Sequence, residues 1–118
     1  MNINNIENIL NDIMDINGAI ATAVIDWKSG MALGVRSNGN FDIELASAGN
    51  AEVIKAKMAT MQSLGLSGNI KDILITLDTQ LHIITLVPNN EDLALYLALD
   101  GTKSNLALAR AKLKVAVA

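Results

Sequence analysis

A single histidine, His82, stands in a chain of 118 residues that contains no cysteine. That inventory decides most of the reactive chemistry. With one imidazole and no thiol, neither a Ser-His-Asp nor a Cys-His set assembles around plausible partners. Disulfides, thiolate zinc sites and multi-histidine metal sites are excluded as well. His82 lies between Leu81 and Ile83 in an apolar stretch and reads as a structural residue. An all-carboxylate site needs acids that converge. Asp72 and Asp78 fall at opposite ends of one predicted strand, and Asp12 and Asp15 on the polar side of a helix, so all four read as solvated. The stretch Gly65-Leu66-Ser67-Gly68-Asn69 leads into a strand and lacks the Lys-Ser/Thr of a nucleotide P-loop, which makes it a plain helix-to-strand connection. Arg36 and Arg110 are the only arginines; one ends a strand and the other sits mid-helix. An arginine finger needs an exposed, mobile mount, so both read as surface pairing residues. Trp27, at a hairpin tip, is either a lid over the edge of the core or an anchor for a partner. The chain is therefore expected to be no enzyme and to carry no catalytic residues, metal or cofactor.

The elements that hold these residues follow from periodicity. Ile3, Ile6, Ile9, Leu10, Ile13 and Met14 recur at gaps of three and four, which predicts a helix over residues 3–16, capped by the asparagines at its start and stopped by Asn17-Gly18. Residues 19–26 and 31–36 predict a hairpin across the turn Trp27-Lys28-Ser29-Gly30. The first of these strands is apolar in both alternating sets, so its sheet is expected to be covered on both faces. Asp42 can cap a long helix running to about Leu64 and ended by Gly65. That helix has a bulky side (Ile43, Ala46, Ile54, Met58, Met61, Leu64) and a second stripe, mostly of small residues: Leu45, Gly49, Glu52, Ala56, Ala59 and Ser63. The stripe is either a tolerant solvent face or, since small side chains let backbones approach, a close helix–helix contact. Residues 70–77, 81–87 and 92–99 predict three more strands joined by hairpin-length turns, an antiparallel meander. The alternation of Leu93, Leu95, Leu97 and Leu99 decides the last of them for strand over helix. A final helix is predicted from Thr102 to about Val117, with Leu106, Ala109, Leu113, Ala116 and Val117 on one side. The expected order is α-β-β-α-β-β-β-α, an α+β fold in one domain spanning residues 1–118, with no repeat, linker or low-complexity tract.

Composition agrees. The chain is 51% hydrophobic, 18% charged and has one proline, which excludes general disorder. A 12.5 kDa chain buries roughly 66% of its extended surface, and with three aromatics (Trp27, Phe41, Tyr96) its core must be aliphatic. Net charge is −3, and the nine lysines and arginines are scattered along the sequence, so no nucleic-acid footprint is expected. No apolar run reaches the ~18 residues of a membrane helix, and the N-terminus lacks the features of a signal peptide. A soluble cytoplasmic protein without membrane insertion is expected.

Three stretches resemble the roadblock family, named for a dynein light chain. Gly18 to Leu33 is similar to its opening hairpin, in which a small-residue strand reaches an acidic residue and a glycine before an apolar strand. Asp72 to Val87 is similar to its central hairpin. Ser104-Asn105-Leu106-Ala107-Leu108-Ala109-Arg110 resembles the Asn-Leu-Gly-Leu-Ala-Arg-like start of the final helix in bacterial members, with Ala107 where glycine is usual. The resemblance implies a five-stranded antiparallel sheet in spatial order 2-1-5-4-3, with the second helix on one face and the first and last on the other. It also implies a dimer in which third strands pair edge to edge, here through Ile73 and Ile75, and second helices pack side by side, here along Leu45, Gly49, Glu52, Ala56, Ala59 and Ser63. Many such dimers are platforms or regulators for small Ras-like GTPases, the bacterial gliding-motility type acting as an activating partner; others join dynein or lysosomal scaffolds.

The expected function is a non-catalytic homodimeric module that binds and regulates a small Ras-like GTPase. On the paired helices, Glu52, Lys55 and Ser63 are the expected partner contacts, with Trp27 at the periphery. Two alternatives are a dimeric scaffold unrelated to GTPases and a small-molecule sensor of similar architecture. The sensor needs a pocket between sheet and helix, and the alanine-rich aliphatic core argues for filling instead.

Overall fold

A computed structural model describes all of residues 1–118. Its elements are α1 (Ile6–Met14), β1 (Ala19–Asp26), β2 (Met31–Ser37), α2 (Ile43–Ser63), β3 (Asp72–Thr76), β4 (Gln80–Leu86), β5 (Leu93–Asp100) and α3 (Leu106–Val117), with a short 3-10 turn over Ile3–Asn5. The five strands form one antiparallel sheet in the order β2-β1-β5-β4-β3. The fold is α+β, in the element order and strand order expected.

Strand β5 shows how the core is divided. It lies at the centre of the sheet, and Leu93 through Leu99 are all buried. Period-two alternation sends Leu93, Leu95, Leu97 and Leu99 to one face, where they meet Leu10 and Ile13 of α1 and Ala109, Leu113 and Val117 of α3. Ala94, Tyr96 and Ala98 go to the other face, beneath Ile43 and Ile54 of α2. Four leucines thus fill the space under two helices, while under the single helix α2 two alanines flank Tyr96, the bulkiest fully buried side chain. Thr22, buried on the neighbouring strand β1, is satisfied by donating its hydroxyl to the Tyr96 carbonyl at 2.7 Å. On the α1 side, Gly34 of β2 makes room for the helix: a Cβ there would stand 2.8 Å from Ile6 and 2.9 Å from Leu10.

Local side chains set the helix ends. Asp42 caps α2 by accepting from the Leu45 amide at 3.1 Å, and Asn105 caps α3 by accepting from Leu108 at 3.0 Å. Gly65 (φ +69°) closes α2, with its amide on the Gln62 carbonyl and the Leu66 amide on the Met61 carbonyl; that left-handed C-cap favours glycine.

Three elements differ from expectation by more than one residue at an end. The last helix begins at Leu106, not Thr102, because the Asp100 carboxylate accepts from both the Thr102 amide (2.9 Å) and its hydroxyl (2.7 Å). That local turn takes Thr102 out of the helix and leaves the capping to Asn105. The first helix is shorter than residues 3–16: Asn2 caps only a 3-10 turn, accepting from Asn4, and the α-helix ends at Met14. Strand β3 spans five residues rather than eight, with Ile70 packed against the α2-side core ahead of it.

The bulky side of α2 also needs correction. Ile43 and Ile54 are buried, but Leu64 is 65% exposed, and the inward face includes Ser47, Asn50 and Ala51. The helix lies chiefly over β1 and β2, and past Ile54 none of its residues is buried. Ser47 is accommodated by donating to the Ile43 carbonyl one turn back, at 2.7 Å.

Candidate interaction surface

All six residues of the small α2 stripe, Leu45, Gly49, Glu52, Ala56, Ala59 and Ser63, are exposed. Their spacing of three and four keeps them on one side of the helix. Leu45 is 70% exposed, and a Cβ at Gly49 would meet nothing within 4 Å. Val53 and Leu64, which the sequence reading did not assign to this side, are exposed too and add to its apolar area. A two-sided apolar helix explains the miss: its sequence has no polar face to mark which side is out. Lys55 is tied to Glu52 by an i,i+3 ion pair of 3.4 Å; at this exposure the pair contributes little stability.

Strand β3 ends the sheet with an unpaired edge. Ile73 and Ile75 are half-buried, Ile73 against the α2-side core, while Leu74 and Leu77 are exposed at 38% and 46%. An apolar strand with one free edge is a ready template for pairing.

Trp27 is pinned at the hairpin tip. Its ring nitrogen donates to the Glu91 carbonyl at 2.7 Å, its amide to the Asp92 carbonyl at 3.0 Å, and its ring packs on the α2-side core. This is the lid arrangement. Both arginines are held in pairs: Arg36 by Glu7 and Asn11, and Arg110 by Asp72, which accepts from Nε at 2.9 Å and Nη2 at 3.1 Å.

His82 sits under the α2 side of the sheet in a small polar cluster. Its Nε2 lies 2.7 Å from Gln80 Oε1 and its Nδ1 3.3 Å from the Tyr96 hydroxyl, with the Tyr96 and Phe41 rings packed edge-on. With Gln80 Oε1 as acceptor, Nε2 carries the proton and Nδ1 accepts from Tyr96. Burial pushes the Tyr96 hydroxyl up to about 12, opposed more weakly by the Asn50 side chain, whose amide nitrogen makes no direct hydrogen bond. Burial also holds His82 below the usual histidine value. A histidine whose folded pKa lies below its unfolded one gives stability that is complete above about pH 6.5. That stability is lost as pH falls from there toward the folded value. The wild type is therefore expected to lose more thermal stability between pH 7 and pH 5 than His82→Gln does. Equal losses in parallel melts would show that the imidazole stays solvated.

No three potential metal-ligating side chains converge, and no helix is long and apolar enough to cross a membrane. The alanine-rich core does not leave the protein without a pocket. A cleft of about 700 Å³ does open at one end of the sheet, where Trp27, Ile70, Leu86, Arg110 and Lys114 meet. Nothing in the sequence order announced it.

The sheet order, the placement of one helix against two, and the free β3 edge define a roadblock fold, and solved structures agree. Myxococcus xanthus MglB superposes with a TM-score of 0.84 at 15% identity, over 99% of this chain and 92% of that one. The gliding protein MglB of Thermus thermophilus gives 0.82 at 18% identity, over 97% and 84%. A Roadblock/LC7 domain from Streptomyces avermitilis gives 0.80 at 10% identity, over 92% and 88%. At these identities the likeness is one of fold. No protein-family profile matches the chain, and no curated protein matches it.

Proposed function

We propose that the chain is a non-catalytic homodimeric module that binds and regulates a small Ras-like GTPase. The observation that carries this reading is the α2 stripe. On a helix whose first half buries its other side in the core, a run of mostly short side chains with Leu45, Val53 and Leu64 is left in solvent. A second copy packed on that stripe, with β3 edges paired, would cover both it and Ile73 and Ile75. The fold it shares with gliding proteins, one of them described in a tetrameric arrangement, supports assembly of this kind. Two α2 helices side by side would present one wide face, with Glu52, Lys55 and Ser63 around the seam and Trp27 at the periphery.

A GTPase exposes switch loops whose order depends on the γ-phosphate. A rigid dimer selects the GTP-bound arrangement only by contacting those loops differently in the two states. Orientation of the GTPase's own catalytic groups fits better than a donated finger, because both arginines are engaged within the protomer. Arg36→Ala and Arg110→Ala, made separately, are expected to change any stimulated hydrolysis by less than about tenfold, ~1.4 kcal/mol in the barrier. A thousandfold loss with binding intact would reveal a finger. The reading itself is tested by retrieving small GTPases from the source cell on the immobilised protein, with a non-hydrolysable GTP analogue or with GDP. Retention under the analogue alone is expected. Absence of any GTPase under both conditions would favour a scaffold role.

A further inference from the structure

The cleft at the end of the sheet combines size, apolar lining and positive charge. Its volume, about 700 Å³, falls within the ~300–1,000 Å³ of small-molecule sites. Apolar side chains from four segments line it: Met58 of α2, Ile70 ahead of β3, Leu86 and Val87 at the end of β4, and Val117 of α3. Around them stand Lys28, Lys71, Arg110 and Lys114, four of the chain's nine cationic side chains, against only two of its twelve acids, Asp72 and Glu91. Four positive charges less two negative leave the lining at +2 in a protein of net charge −3. The scatter of basic residues along the sequence is thus undone by the fold.

The charges are not equivalent. Arg110 is bound to Asp72 by two hydrogen bonds, and Lys28 to Asp92 at 2.8 Å. Lys71 and Lys114 have no ion-pair partner, and Glu91 is the one lining acid without one. An open cleft that carries apolar side chains and two unmatched ammonium groups from separate segments is complementary to an acid group carried on an apolar body.

We propose that this cleft binds a small anionic amphiphile, a carboxylate or similar acid on a hydrocarbon tail, with the tail among Ile70, Leu86 and Val117 and the acid between Lys71 and Lys114. None of the α2 stripe residues, nor Ile73 or Ile75, lines the cleft; it meets β3 only at its first residue, Asp72, beside Lys71, and the proposal does not depend on the GTPase reading.

Trp27 lines the cleft and is the only tryptophan, so its fluorescence reports occupancy at this place. The full chain is titrated with laurate below its micelle concentration, with dodecyltrimethylammonium as the cation on the same tail, and with acetate as the acid without one. Phosphatidylglycerol vesicles form the fourth arm, separating a free amphiphile from a membrane surface. Laurate is expected to give a saturable change, weakened at least tenfold by Lys71→Glu/Lys114→Glu, with the cation at least tenfold weaker and acetate and vesicles silent. Circular dichroism and solution mass verify that the double variant is folded and assembled as the wild type is. If it is not, Lys71→Gln/Lys114→Gln replaces it and is expected to weaken laurate in the same direction. A response to the cation equal to that of laurate, a laurate affinity unchanged in the variants, a response to vesicles alone, or no saturable response would each overturn the proposal.

Discussion

Ala56→Arg is expected to leave a folded monomer. Ala56 is exposed in the middle of the α2 stripe, between Glu52 and Ala59. Where two helices meet through small residues their backbones run close, and a guanidinium on a long stem cannot be seated there without separating them. At the middle of such a seam the variant is expected to weaken self-association by at least a hundredfold, about 2.8 kcal/mol. Because the residue faces away from its own core, far-ultraviolet circular dichroism should match the wild type. Light scattering across a dilution series reads the effect directly. A variant that stays dimeric at the lowest concentration would place the interface elsewhere, with the free edge of β3 as the next segment to test.

Leu97→Ala is expected to give the largest loss of protomer stability. Leu97 lies mid-strand in the central β5, fully buried, in the cluster shared with α1 and α3. Removing its three terminal carbons takes away their transfer free energy and leaves a cavity that an interior built from both helices and the sheet can close only partly. The loss should be about 2–5 kcal/mol, a large part of the ~5–15 kcal/mol that holds such a domain together. Denaturant unfolding at one fixed protein concentration measures it, since assembly would otherwise shift the midpoint. A loss below about 1 kcal/mol would mean that the site collapses around the alanine.

The contrast between these two positions shows what the sequence could convey. The Leu–Ala alternation of β5 states both that the segment is a strand and that its faces differ, because period two is a property of neighbouring residues. The exposure of the α2 stripe is legible from the helical counterpart of that rule, the spacing of three and four. The inward placement of Ser47 and Asn50 was not, because α2 is apolar on two sides and carries polar residues within. The start of α3 was misplaced because Thr102 had a competing use, the turn on Asp100, that local helix propensity does not register. The cleft was the least legible feature. Lys28, Lys71, Arg110 and Lys114 are brought together only by tertiary packing, and no spacing along the chain records it.

In the proposed function, two copies of this chain together form one platform for a GTP-loaded small GTPase. The most direct measurement is the mass, by light scattering after size exclusion, of the protein mixed with the small GTPase it retrieves, loaded either with a non-hydrolysable GTP analogue or with GDP. A species of two 12.5 kDa chains with bound GTPase is expected in the GTP-analogue state, and an unliganded dimer beside free GTPase in the GDP state. A complex holding one copy of this chain, or one that forms equally with both nucleotides, would contradict the proposed function.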